Sequence, residues 1–276
     1  MLSKGKFLKV SAAVFRKNLL EYIRYPLNAI FGLIMPIVWI LPIYLLIRSF
    51  SVDGSSAGLS AWTGTNNFFG YFMIGIVVAT IIMTIFWNIG FALKRLMDIG
   101  MLETIWVCPV SKVGYIVAES LFSVTMLIGE LALQIVFFRY VFGISLPPLF
   151  IVALPWFIPF AITMYGFGIG FAAVVLALKE AEMLVDTLSF VVQGLTGTQN
   201  PPQVFPRFLL VFSLAIPITY FIDLLRVESL GISPIVPFTV EKVIIVAGAV
   251  LIPIIGIWIF RRVDKRCRIK GNLHVH

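Results

Sequence analysis

The residues that most often carry chemistry are few in this chain, and their placement excludes more than it allows. Both histidines, His274 and His276, stand in the closing triplet His-Val-His. Two such ligands could bind a metal, but an unanchored chain end is the simpler reading. No His-Glu-x-x-His run occurs. Gly54 to Gly58, Gly-Ser-Ser-Ala-Gly, fits the letters of a nucleophile elbow. It lies in a polar stretch with no strand before it, no helix after it and no histidine placed as a base. Paired Asp-rich motifs that would hold magnesium and a diphosphate are missing, and no lysine is followed by Ser or Thr, so a Walker-type phosphate loop is absent. What remains is a carboxylate inside an apolar run: Glu130, with Gln134 one helical turn further on. An ionised carboxylate at bilayer depth costs several kcal/mol unless it is paired or faces water, so a functional role is the default hypothesis for Glu130. It would line a pathway or a dimer interface; a hydrogen-bonded packing carboxylate is the equally weighted alternative.

These groups must be positioned by membrane helices. Apolar residues make up 60% of the 276 and charged ones 12%, and the mean hydropathy is +1.04, far from soluble averages. The reading is an all-α integral membrane protein, with length for about six helices of ~20 residues and no separate soluble domain. Cys108 and Cys267 are too few and too distant for a disulfide framework. Hydropathy places spans near residues 27–47, 68–91, 115–138, 149–178, 184–195 and 240–260. Residues 1–26 form a first unit, an amphipathic interfacial helix ended by Pro26: Phe7, Leu8, Val14, Phe15, Leu19 and Tyr22 fall on one side and Lys9, Arg16, Lys17 and Arg24 on the other. A solvated basic helix without membrane contact is the alternative. Residues 27–260 are the six-span unit, and 261–276 a basic tail.

Between the fifth and last spans, Val204 to Arg226 is apolar enough to enter the bilayer but is interrupted by Pro206 and Pro217. We read residues 201–226 as a re-entrant helical hairpin, since broken helices at membrane depth require shielding of the released backbone groups. A seventh full span is the competing count. Charge bias favours six. Lys and Arg cluster before Pro26, at Lys94, Arg95 and Lys112, and after Phe260, whereas the intervening loops on the other side hold only Arg48, Arg139, Arg207 and Arg226. By the positive-inside rule both termini are cytoplasmic, which needs an even number of crossings. The net charge of +8 then reflects topology and contact with anionic lipid, and calls for no nucleic acid. Glu119 and Asp186 lie nearer the cytoplasmic ends and are expected to reach the interface or pair with Lys112 or Lys179. Gly166, Gly168 and Gly170 permit close helix approach.

The stretch Leu93 to Tyr115 carries a resemblance. Arg95, Gly100, Leu102, Glu103, Pro109 and Val110 follow an order similar to that of the cytoplasmic loop after span two in permease subunits of type-2 ABC exporters. Pro217 to Arg226, with Pro217, Thr219, Tyr220, Asp223 and Arg226, resembles the segment before that family's last span. Met101 stands where the family often has Thr. The resemblance covers nearly the whole chain and implies a permease forming a translocation pathway in the cell membrane, for a lipid, amphipathic drug or polysaccharide. It implies a second copy of the permease, two copies of a separate ATPase subunit that bind ATP and magnesium, no cofactor on this chain and no catalysis by it. It also implies that residues 95–110 include a coupling helix. The residues are compatible: Gly100 can stop a helix in the left-handed conformation, and Leu102 to Val107 allow a turn or two before Pro109. So short a helix is unstable alone. Ile105 and Trp106 make sense in a partner's groove with Glu103 at its rim; a segment resting in the headgroups is the alternative. A nucleotide-independent carrier or membrane scaffold is the other functional class, although no internal repeat of the kind common in secondary carriers is visible.

Overall fold

A computed structural model describes residues 4–50, 57–98, 100, 104, 107, 112–141, 143, 154–178 and 182–269. The elements among them are helices: α1 (Lys4–Arg24), α2 (Pro26–Phe50), α3 (Ala57–Thr63), α4 (Phe68–Ile85), a π-helical turn (Phe86–Gly90), α5 (Phe91–Asp98), α6 (Lys112–Val141), α7 (Phe157–Leu178), α8 (Glu182–Leu195), α9 (Arg207–Ala215), α10 (Pro217–Leu230) and α11 (Phe238–Ile269). Short 3-10 turns at Leu154–Trp156 and Pro202–Val204 connect them. Four stretches of the described residues are long and apolar enough to cross a membrane, at Phe68–Leu96, Gly114–Val141, Phe157–Leu178 and Phe238–Cys267. The pair α9 and α10, bent by 90° at Ile216, makes a fifth if counted as one span. The chain is thus an all-α multi-pass membrane protein.

Local chemistry explains the breaks. Asn67 opens α4 by accepting the Gly70 N–H at 2.8 Å. Pro217 occupies the first position of α10, where its missing N–H costs nothing. The Thr219 hydroxyl donates to Ser213 O at 2.7 Å and the Tyr220 hydroxyl to Leu214 O at 2.8 Å, so the carbonyls released at the end of α9 are satisfied across the bend. Gly231, at φ 66°, ends α10 and donates to Val227 O. Gly100 likewise has φ 67°, two residues past the end of α5.

The most extensive helix pair is α7 with α11. A Cβ placed on Gly166 would lie 2.4 Å from Pro253 N, and one on Gly256 would lie 2.2 Å from Gly166 O, so the two main chains touch directly. Phe160, stacked on Phe221 with centroids 3.8 Å apart, ties α7 to α10. The sequence places one whole face of α1 on lipid, but its buried residues Ser11, Val14 and Asn18 form a stripe at helical spacing, and α1 packs on α6. Phe15 and Tyr22 meet Phe122 edge-on at 5.5 and 6.0 Å, while Leu8, Leu20 and Ile23 stay exposed.

Candidate functional site: a deep cavity and its clasped end

A cavity of about 1370 Å³ opens between α1, α2, α4, the π-helical turn, α5, α6 and α8. One end is marked by Lys17, Arg95 and Asp98; the other by Phe72, Gly75 and Gln199. Twenty residues of helix separate Gly75 from Arg95, so the cavity runs roughly 30 Å, the thickness of a hydrocarbon core.

Helical spacing builds each wall. On α6, Glu119, Ser123, Met126 and Glu130 recur at three- and four-residue intervals and so share one face. On α8, Asp186, Phe190 and Gln193 do the same. α4 contributes Thr80, Met83 and Thr84, and the π-helical turn continues the wall with Trp87 and Asn88. A π turn spends an extra residue per turn and is frequent at functional sites; here Asn88 Nδ2 donates to Thr84 O at 2.9 Å, and Arg95 reaches Asn88 O at 3.3 Å. Two polar rungs cross from α4 to α6. Thr84 donates its hydroxyl to Glu130 Oε2 at 3.4 Å, and Gln134 Nε2 donates to Thr80 Oγ1 at 3.1 Å. Glu130 faces the cavity. Gln134 does not: it is 1% exposed and packs behind the wall.

Glu119 differs from its expected pairing with Lys112 or the headgroups. Its Oε1 takes the Lys17 ammonium at 3.5 Å, an ion pair between α6 and α1 that spans 102 residues of sequence. Lys94 neutralises Asp98 one turn away on α5.

The far end of the cavity is held by Arg226. As a residue counted with the outer loops it would add to the charge bias there; instead it lies inside α10, 1% exposed, and belongs to no loop. Its three nitrogens serve three carbonyls: Nε donates to Tyr71 O at 3.3 Å, one terminal nitrogen to Gly197 O at 2.7 Å and the other to Thr198 O at 3.1 Å. The guanidinium also lies 3.6 Å over the Tyr71 ring. This clasp fixes the turn after α8 against α4, and Gly75 makes room for it, because a Cβ there would sit 1.7 Å from Thr198 O. Asp223, one turn before Arg226, accepts the Ile235 N–H at 2.8 Å and orders the link to α11, where the buried Glu241 faces it. Pro206, Pro217, Thr219 and Tyr220 therefore shape the bend, while Asp223 and Arg226 tie it to the rest of the molecule. Tyr71, Gly75, Glu241 and the π turn carry no mark in the sequence. A buried-arginine reading of Ile-Asp-Leu-Leu-Arg was the one signal available for the clasp.

Of the segment 95–110, Arg95 and Gly100 are placed, and Thr104 and Val107 are exposed. Leu102, Glu103, Ile105, Trp106 and Pro109 lie outside the described residues.

A many-helix membrane fold surrounds a deep cavity, mainly apolar with polar groups set into its walls. Residues 11–228 match the model of the ABC-2 type transporter family, and the chain belongs to that family. It is an ABC transporter permease, the membrane component and not the catalytic one; such permeases work with an ABC ATPase. The matched range holds the whole cavity lining and the Arg226 clasp. No match to an individual curated protein accompanies it.

Proposed function

We propose that the chain is the permease subunit of an ATP-driven exporter, that it forms six spans with both termini in the cytoplasm of a cell-membrane protein, and that the cavity is its half of the translocation pathway. The observation that carries this reading is the cavity itself. It begins beside Arg95 and Asp98, at the root of the segment 95–110, and runs the depth of a bilayer to the turn after α8, which Arg226 of α10, at the end of the re-entrant hairpin of this reading, holds in place. Two copies of the chain stand around a two-fold axis, two ATPase subunits bind ATP and magnesium, and closure of the ATPases moves the coupling segments. In that segment Glu103 and Trp106 dock on the ATPase, with Leu102 and Ile105 in its groove; Gly100 and Pro109 delimit it. Glu130 lines the pathway and Gln134 supports the wall behind it.

The experiment is co-purification of the ATPase subunit with Glu103→Arg and Trp106→Ala. Loss of a buried aromatic anchor commonly costs about 2 kcal/mol or more, roughly thirtyfold in affinity. ATPase recovery should fall accordingly, or hydrolysis should continue without transport. Unchanged association and transport in correctly inserted variants would refute the coupling role.

A further inference from the structure

The chain as a whole is strongly basic, at +8, yet its cavity has the opposite sign. Asp98 is matched by Lys94, and Glu119 by Lys17. Among the described residues the remaining ionisable lining groups of Asp, Glu, Lys and Arg type are Glu21, Glu130 and Asp186 against Arg95, three carboxylates to one cation. Charges of one sign in a low-dielectric cleft focus the field and concentrate counter-charge there. The sign is the reverse of what a basic cytoplasmic surface would give, so it belongs to the cavity and not to topology.

A further observation points to an occupant. A carboxylate at the depth of an apolar span is costly unless something positive comes to it. Glu130 faces the cavity there, and among the described residues its hydrogen-bond donor is the Thr84 hydroxyl at 3.4 Å. Met83, Trp87 and Met126, within one turn of that pair along their helices, give the surrounding wall an apolar, polarizable character.

This donor set is wrong for an inorganic ion. Among the described residues no three Asp, Glu, His or Cys side chains converge as a metal would need. A single carboxylate with a hydroxyl and an aromatic face suits instead a diffuse charge on a bulky apolar body. We propose that the cavity binds a monovalent organic cation with an apolar body at Glu130, with Met83, Trp87 and Met126 against the body. The proposal rests on reading the cavity as the pathway, and it names the substrate class that pathway takes.

Tetraphenylphosphonium and tetraphenylborate test it, because they share size and apolar surface and differ in sign. The full-length permease in nanodiscs, without any ATPase, is titrated with each ion, with empty nanodiscs as the blank for partition into lipid. Saturable, protein-dependent binding of the phosphonium at least tenfold tighter than the borate is expected. Glu130→Gln should weaken it at least tenfold, and Glu228→Gln, a carboxylate removed outside the cavity, less than twofold. Equal binding of the two ions, or equal affinity of Glu130→Gln and the native protein, would overturn the proposal. If Glu130→Gln does not fold, the comparison of the two ions on the native protein decides alone. Because no ATPase is present, failure here is separate from failure of the coupling experiment.

Discussion

Replacing Arg226 with Met should loosen the end of the cavity opposite Lys17. The native guanidinium satisfies the carbonyls of Tyr71, Gly197 and Thr198 and covers the Tyr71 ring, all out of solvent. Hydrogen bonds to an ionised group contribute about 1.5–3 kcal/mol each, and an orphaned buried acceptor costs about 1–3 kcal/mol. Against this stands the desolvation of the guanidinium, which Met does not incur. What remains after the substitution is three orphaned carbonyls and no unpaired charge, and with the recovered desolvation set against them a net loss of about 3 kcal/mol is the expected size. Arg226→Lys keeps the charge but not the planar fork, so one ammonium cannot reach three divergent carbonyls and most of the loss should remain. The assay is the fraction of protein surviving as a monodisperse peak in detergent after a heating series, read together with the reactivity of a cysteine placed at Gln199. Both variants should lose the peak at lower temperature and expose Gln199. Native-like thermal survival of Arg226→Met with unchanged labelling would show that the clasp contributes nothing and refute the account of that end.

Gly75→Ala should destabilise comparably, since its Cβ would stand 1.7 Å from Thr198 O, whereas Gly129→Ala, with nothing within 4 Å, should be neutral or slightly stabilising in the same heating series. Cysteines at Ser55 and Gln203 should react with an impermeant label from outside intact cells and one at Lys270 should not; reaction at Lys270 would establish an odd number of crossings and remove the six-span reading.

The class of protein was legible in composition, and the run lengths located α4, α6, α7 and α11 because a bilayer imposes one length on each. Pro206 and Pro217 announced the broken pair for a similarly local reason: a missing N–H acts on its own helix. The contents of the site were less visible. Arg226 meets carbonyls 28, 29 and 155 residues away, and Lys17 meets a carboxylate 102 residues away, so nothing in a short window shows either partner. Counted as a loop charge, Arg226 looked like a topological marker; only the packing of α10 makes it a buried donor. The π turn was illegible because Phe-Trp-Asn-Ile-Gly carries no signal that separates it from ordinary helix, and the contact of α1 with α6 was hidden because two of the three residues buried on α1, Ser11 and Asn18 beside Val14, are polar by type.

The main-chain contact between Gly166 and Gly256 bears on which parts of the molecule can slip. Sliding α11 by one turn, about 5.4 Å, would bring Ile252 or Phe260 to the place where even a methyl group has no room. That seam has one register. The wall between α4 and α6 is of another kind, because its rungs repeat: Thr80 and Thr84 are one turn apart, and so are Glu130 and Gln134. A one-turn shift there would break two hydrogen bonds and re-form one from the same set, Thr84 with Gln134 or Thr80 with Glu130. The protein thus pairs a joint with a single setting and a ladder with adjacent settings, and displacement along the cavity falls to the ladder.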